Sequence, residues 1–210
     1  MLGKWICLEG PDRIGKTSLC RRLKEIIEQE TGKPVYMISL PVREGHIWDA
    51  IKEYLTEGKN IPKSALDLLF IADFWKQSVA IREHLAGGGW VITDRWCSST
   101  AVYSAARCVH DLERVQNQEW IETVIQNLPL PDITIWLDCQ VELLKTRPGW
   151  GDEREETEEQ QRKVIGGYRK WFATNHTIPK NTVYRFEVHP DTTTNILAYH
   201  IWYDYINTIN

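Results

Sequence analysis

Residues 8–19 read LEGPDRIGKTSL, in which four residues separate Gly10 from Gly15 and Lys16-Thr17 follows at once. Each fixed position in this spacing has a chemical use. The glycines let the backbone curl so that several N–H groups converge on one phosphate. Lys16 can reach terminal phosphates, and the Thr17 hydroxyl can ligate a Mg²⁺ ion bridging them. A helix starting here would add its N-terminal partial charge. Gly10, Pro11, Asp12, Arg13, Ile14, Gly15, Lys16, Thr17 and Ser18 are therefore the candidate ATP-phosphate loop, with Lys16 expected to face solvent. A chance match would occur in about one chain per hundred of this length. The apolar run before the loop and the helical spacing of Leu19, Leu23, Ile26 and Ile27 after it lower that figure further.

The elements that must position this loop follow from the rest of the chain. Strands are expected at 4–9, 35–39, 90–93, 133–138 and 183–188. Helical stretches are expected near 16–30, 46–57, 64–86, 98–107, 118–127, 155–173 and 192–207. Such alternation predicts an α/β fold, a five-stranded parallel sheet with helices on both faces. Ligands then bind beyond the carboxyl ends of the strands. Those ends carry Arg43, Asp94, Arg95, Arg147 and Arg154. Asp94 alone would more often cap a helix than serve Mg²⁺. Arg95 beside it is harder to dismiss, because a guanidinium fork suits a phosphate and stays charged at any working pH. Two phosphate sites, one in a loop and one held by arginines, imply transfer between nucleotides rather than hydrolysis. A guanine-reading N-K-x-D is missing from the sequence.

Composition narrows the partners. With 210 residues the chain is expected to form a single domain, 1–210. A net charge of −4 and a pI near 5.9 argue against a nucleic-acid partner. Five cysteines without a C-x-x-C pair fit neither a disulfide framework nor a zinc site, and imply a reducing, cytoplasmic setting. No signal peptide or 18-residue apolar run is visible, so no membrane partner is expected. Residues 151–161, GDEREETEEQQ, read as a solvated helix start. The ten tryptophans are expected in core or cleft, and His46, His84 and His110 at the surface.

Six segments, in order and at fitting separations, resemble the thymidylate kinase family of P-loop nucleoside monophosphate kinases. LEGPDRIGKTS is similar to its phosphate loop, LPVREG to its F-P-x-R segment and LDLLFIADFW to its L-L-F-x-A-N-R-W helix. VITDRWCSSTAVYS resembles V-x-D-R-Y-x-x-S-x-x-A-[YF], LPLPDITIWLD the L-P-x-P-D segment, and RPGWGDEREE the lid. The resemblance implies a P-loop kinase fold with a short lid near 147–156, ATP and Mg²⁺ as cofactors, and a homodimer. It implies that Lys16 and Thr17 serve ATP and Mg²⁺, with Asp94 as second metal partner. Asp12 would contact the acceptor's 3′-hydroxyl, and Arg13 would stand near the transferred phosphoryl. Arg43 and Arg95 would hold the acceptor phosphate, with Ser99 in the same site. Phe70 would stack on the base, and Tyr103 would crowd the 2′ position. Arg147 would lie beside the donor, and Glu153 and Arg154 in the lid. Without the resemblance, Phe70 and Tyr103 would read as core aromatics, and Arg154 as a partner of neighbouring acids.

Three positions depart from the family pattern. Phe74 stands where the base-reading arginine is expected, with Asp73 before it. Trp96 replaces the D-R-Y tyrosine, and Glu155 the lid tyrosine. Catalytic positions are kept while base-reading ones change, as in a viral or otherwise divergent enzyme. The expected reaction is phosphorylation of a deoxynucleoside monophosphate, dTMP first, with dUMP or other acceptors admitted. A deoxynucleoside kinase and an inactive nucleotide-binding module are the alternatives.

Overall fold

The computed structural model describes residues 3–174 and 182–207. Five strands, β1 (Trp5–Glu9), β2 (Val35–Ser39), β3 (Trp90–Asp94), β4 (Ile133–Asp138) and β5 (Val183–Glu187), form one sheet in the order β2-β3-β1-β4-β5. All four pairings are parallel. The central strands β1, β3 and β4 are buried along their whole length, which is why they read as unbroken apolar runs. Among the described residues the helices are α1 (Lys16–Thr31), α2 (Gly45–Leu55), α3 (Lys63–Ala86), α4 (Cys97–Ala106), α5 (Asp111–Ile125), α6 (Val141–Lys145), α7 (Glu158–Thr174) and α8 (Thr194–Ile201). A π-helical turn, Trp202–Ile206, follows α8.

Two apolar clusters sandwich the sheet. One takes Leu19, Leu23, Ile26 and Ile27 of α1 together with Ala198 and Ile201 of α8. The opposite one joins Phe74 and Ile81 of α3 to Val102 of α4, Ile121 of α5 and Tyr168 of α7. Each fully buried aliphatic side chain contributes about 1.5–3 kcal/mol, so α1 is held firmly where the loop delivers it. Buried Asp138, at the end of β4, accepts from Arg169 of α7 (3.0 Å) and Arg185 of β5 (2.6 Å), which ties the edge strand to the sheet.

Several expectations need correction. Helix α5 begins at Asp111 rather than 118, because its first turns are polar and carry little apolar periodicity. Helix α6 has five residues, too few to show a period. The acidic run is a solvated helix start only from Glu158, where α7 begins with Glu158 and Glu159 in its first turn; turns occupy 151–157, and Glu155, Glu156 and Gln161 are buried. Trp96 is a core residue packed on Trp5 and Phe74, and Trp75 is exposed. The five cysteines are all free and buried, as expected of reduced thiols.

Candidate active site

The sheet register builds the site. Leu8 of β1 pairs with Asp94 of β3, so the chain leaves both strands at one level, and Arg95 N–H donates to the Leu8 carbonyl (2.9 Å). This is where neighbouring strands send their connections apart, the usual ligand crevice of an open parallel sheet. A cleft of about 970 Å³ opens there, lined by Lys16, Thr17, Arg43, Phe70, Asp94 and Arg95 among others.

On the loop side, Gly10 has φ +147° and lies so close to β4 that a Cβ would meet the Leu137 carbonyl at 2.6 Å. Only glycine fits that approach. Lys16 is the first residue of α1 and, contrary to the expectation of a solvent-facing lysine, is 6% exposed. Its Nζ donates to the carbonyls of Gly10 (3.1 Å) and Pro11 (2.6 Å), which aims it back into the loop. Burial, with Arg95 nearby, pulls its pKa down to about 8 against the pull of Asp94, Asp12 and Glu9. The ammonium is therefore charged below that pH and lost above it. The KM for ATP is expected to rise roughly tenfold from about pH 7 to about pH 9, measured by initial rates at saturating acceptor. Taken alone, Lys16 also makes stability rise with pH between about 8 and 10.5, since the unfolded chain keeps that proton longer.

Thr17 Oγ1 donates to Asp94 Oδ2 at 2.5 Å, so the two expected metal partners do meet. A hydroxyl and a carboxylate are hard oxygen donors of the kind Mg²⁺ takes in company with phosphate oxygens, and the pair fits that ion. Among the described residues, no cluster of three or more His, Cys, Asp or Glu side chains could hold a metal by itself.

The side of the cleft expected to take the acceptor centres on Arg95, which with Arg13 is one of two non-glycine residues at positive φ among those described (78° and 63°). Such backbone costs about 1–3 kcal/mol and persists where surroundings impose it. Arg95 Nη1 donates to the Gly10 carbonyl and Ser99 Oγ (both 3.0 Å) and to Tyr168 Oη (3.3 Å). Its Nη2 pairs with Asp12 and reaches Tyr103 Oη (3.2 Å). Asp12 also accepts from Tyr103 Oη (2.7 Å) and Gln161 Nε2 (3.0 Å). Burial would raise the Asp12 pKa, but Arg95 and Lys16 with these donors hold it below the usual carboxylate value.

Behind Arg95 sits Glu9, fully buried at the end of β1. It accepts from Ser99 Oγ (2.5 Å), Tyr168 Oη (2.9 Å) and Trp96 N–H (3.0 Å). Burial pushes its pKa up, partly offset by Ser99 and Arg95. Ser99 lines the cleft but also links Glu9 to Arg95. Glu9, Tyr168 and Gln161 escape a reading of the sequence; Gln161 was visible only as part of a polar run.

The lid completes the cleft. Arg13 bonds Glu156 through Nε (2.6 Å) and Asp152 through Nη2 (3.3 Å), and Arg43 bonds Glu153 (2.8 Å) while stacking over Trp48. A phosphate drawn to either arginine competes with these carboxylates. Arg154 donates to the Lys59 carbonyl and Asn60 Oδ1, so it anchors the lid beyond α2 rather than pairing with neighbouring acids or lining the cleft. Arg147 follows α6 with its Nε buried, and it too is outside the cleft lining. Phe70, Phe74 and Tyr103 do line it. Phe74 is at the same time a core residue, its ring 5.0 Å from that of Trp96. Asp73 accepts from Val42 N–H (2.8 Å) and Gln77 (3.1 Å), which fixes the turn carrying Arg43.

Comparison with known proteins agrees with this geometry. A family model described as thymidylate kinase matches residues 8–189. A thymidylate kinase of Caenorhabditis elegans is 32% identical over 170 residues, covering 77% of this chain and 75% of that protein. One from Schizosaccharomyces pombe is 30% identical over 168 residues, 80% of this chain and 76% of its own. The solved thymidylate kinase of Candida albicans superposes with a TM-score of 0.81 at 29% identity, covering 96% of this chain and 90% of the other.

Proposed function

The chain belongs to the thymidylate kinase family and uses ATP to convert dTMP to dTDP, and on that premise we propose how its own residues do so and how sharply they choose the base. The meeting of Lys16, Thr17 and Asp94 with Arg95 and Asp12 in one cleft carries the reading. Lys16 holds the donor's terminal phosphates, and Thr17 and Asp94 would hold Mg²⁺, which would neutralise charge on the phosphate oxygens. Arg147 stands on the donor side. Arg43 and Arg95 hold the acceptor phosphate, Asp12 the sugar hydroxyl, Phe70 the base, and Tyr103 the 2′ edge. An acceptor phosphate oxygen attacks the γ-phosphorus, the bond to the β–γ bridging oxygen breaks, and ADP leaves. An anionic nucleophile needs no general base. Arg13 adds a cation near the transferred phosphoryl, where equatorial charge develops in the transition state. Holding the two nucleotides in line supplies roughly 7–11 kcal/mol more.

The lid at 147–156 and the P-loop fold are read as one domain spanning 1–210. An exposed stripe on α3, Leu68, Ala72, Trp75 and Val79, supports a homodimer. Five buried free thiols support a reducing, cytoplasmic setting, and no described helix is long and apolar enough to cross a membrane.

Base choice rests on Phe74. An apolar ring there offers no donor to a base carbonyl, and Gln77, a candidate replacement in the cleft lining, gives one of its two amide N–H groups to Asp73. A site that relies on stacking and shape separates substrates by about 1–3 kcal/mol, whereas one with a required polar contact reaches 10⁴–10⁵. The Candida albicans relative is described as having broad substrate specificity. The expected result is that kcat/KM for dTMP exceeds that for dUMP, dCMP and dGMP by less than about 10³. A preference above about 10⁴ over every competitor would show that another group reads the base.

A further inference from the structure

Glu155 raises a question that the reaction does not answer. A carboxylate in the lid, lining a cleft that must admit two polyanions, should repel both. The structure shows what makes it admissible. Glu155 Oε1 accepts from Tyr54 Oη of α2 and from Arg107 Nη1 at the end of α4, each at 3.0 Å. Arg107 Nη2 pairs in turn with Asp67 of α3, whose other oxygen accepts from Ser104. The side chains of Arg107, Glu155 and Asp67 are 7%, 8% and 0% exposed. One guanidinium therefore joins lid, α3 and α4 inside the protein.

Two further residues make this a latch rather than an isolated pair. The Glu155 carbonyl accepts from Gln161 Nε2 (3.0 Å), and the same nitrogen donates to Asp12. Arg154, beside Glu155, donates its N–H to the Leu55 carbonyl (2.9 Å) and stacks over Tyr54. The anchors of Glu155 are thus Tyr54 on α2, Arg107 at the end of the helix that carries Tyr103, and Gln161, which also bonds Asp12. The lid also meets the phosphate loop directly, through Asp152 and Glu156 on Arg13.

We propose that Arg107 is a positioning residue for the acceptor: through Glu155 it holds the lid down on the acceptor half of the cleft and, by way of Gln161, keeps Asp12 aimed at the sugar. The inference rests on the monophosphate kinase reading above. A buried ion pair that acts this way affects acceptor binding and leaves the donor half almost untouched, and its two members fail together.

The test is steady-state kinetics with ATP and dTMP on wild type, Glu155→Gln, Arg107→Lys and the double variant. Glu155→Gln keeps the volume and an acceptor for Tyr54, and Arg107→Lys keeps the charge but loses the fork that bridges Asp67 and Glu155. Each single variant is expected to raise the KM for dTMP about tenfold or more, as broken buried pairs do, with the KM for ATP within about threefold. The double variant should be no worse than the worse single one. If Arg107→Lys fails to fold, Glu155→Gln decides alone. A KM for dTMP within about threefold of wild type in Glu155→Gln, a parallel rise in the KM for ATP, or multiplicative effects in the double variant would each overturn the proposal. A wild type that phosphorylates no deoxynucleoside monophosphate would overturn the kinase reading first, which keeps the two failures distinct.

Discussion

Lys16→Ala is expected to lower kcat by roughly 10²–10³-fold or more, the cost of removing one preorganised donor from developing charge. The ammonium is buried, tethered to two loop carbonyls and aimed into the loop proposed to hold the terminal phosphates. Because it is buried, alanine would also leave a small void and two carbonyls without their donor, and some loss of stability follows. Lys16→Met fills most of that void without restoring charge. Both variants should therefore be inactive, with Lys16→Met melting closer to wild type in a thermal unfolding scan. ADP production by either variant within tenfold of wild type would remove Lys16 from the mechanism.

Arg95→Ala should show the next largest loss, and its pattern is as informative as its size. Two charge-assisted bonds to an acceptor phosphate are worth about 3–6 kcal/mol together, so kcat/KM for dTMP should fall about 10²-fold or more. The KM for ATP should move far less. Asp12 would lose its ion-pair partner, and Ser99 and Tyr168 would lose a shared donor, so the KM effect should be accompanied by a lower kcat. Arg95→Lys separates charge from geometry, because an ammonium cannot reproduce the fork that meets Asp12, Ser99 and Tyr168 at once. Partial recovery in the lysine variant would assign part of the effect to charge alone. Equal increases in the KM values of both substrates would contradict an acceptor-phosphate role.

What could be read from the sequence and what could not divide along a physical line. The strands at 90–93 and 133–138 were legible because buried parallel strands are short apolar runs between turn signals. Gly10, Gly15, Lys16 and Thr17 were legible because their chemistry is local: one loop and one helix start place all of them. Asp94 and Arg95 were legible as a strand end. Gln161, in contrast, meets Asp12 across 149 residues of sequence, and Tyr168 meets Glu9 across 159. No spacing rule reaches that far. The acidic run misled for the same reason, since Glu155 and Glu156 are buried only because Arg107 and Arg13 come from elsewhere in the fold to meet them. Phe74 shows the converse case. Its position in a helix was readable, but its packing on Trp96, which fixes how far it extends toward the cleft, is a tertiary fact.

The account stands on a cleft that binds two phosphorylated partners, and one comparison tests it directly. Initial rates of ADP formation with ATP and Mg²⁺ should be measured with dTMP and, separately, with thymidine as acceptor. If Arg95 and Arg43 hold the acceptor's phosphate as proposed, dTMP should be phosphorylated faster than thymidine by about 10²-fold or more in kcat/KM. Faster phosphorylation of thymidine would mean that the arginines serve something other than an acceptor phosphate, and that the clamp assigned to them does not exist.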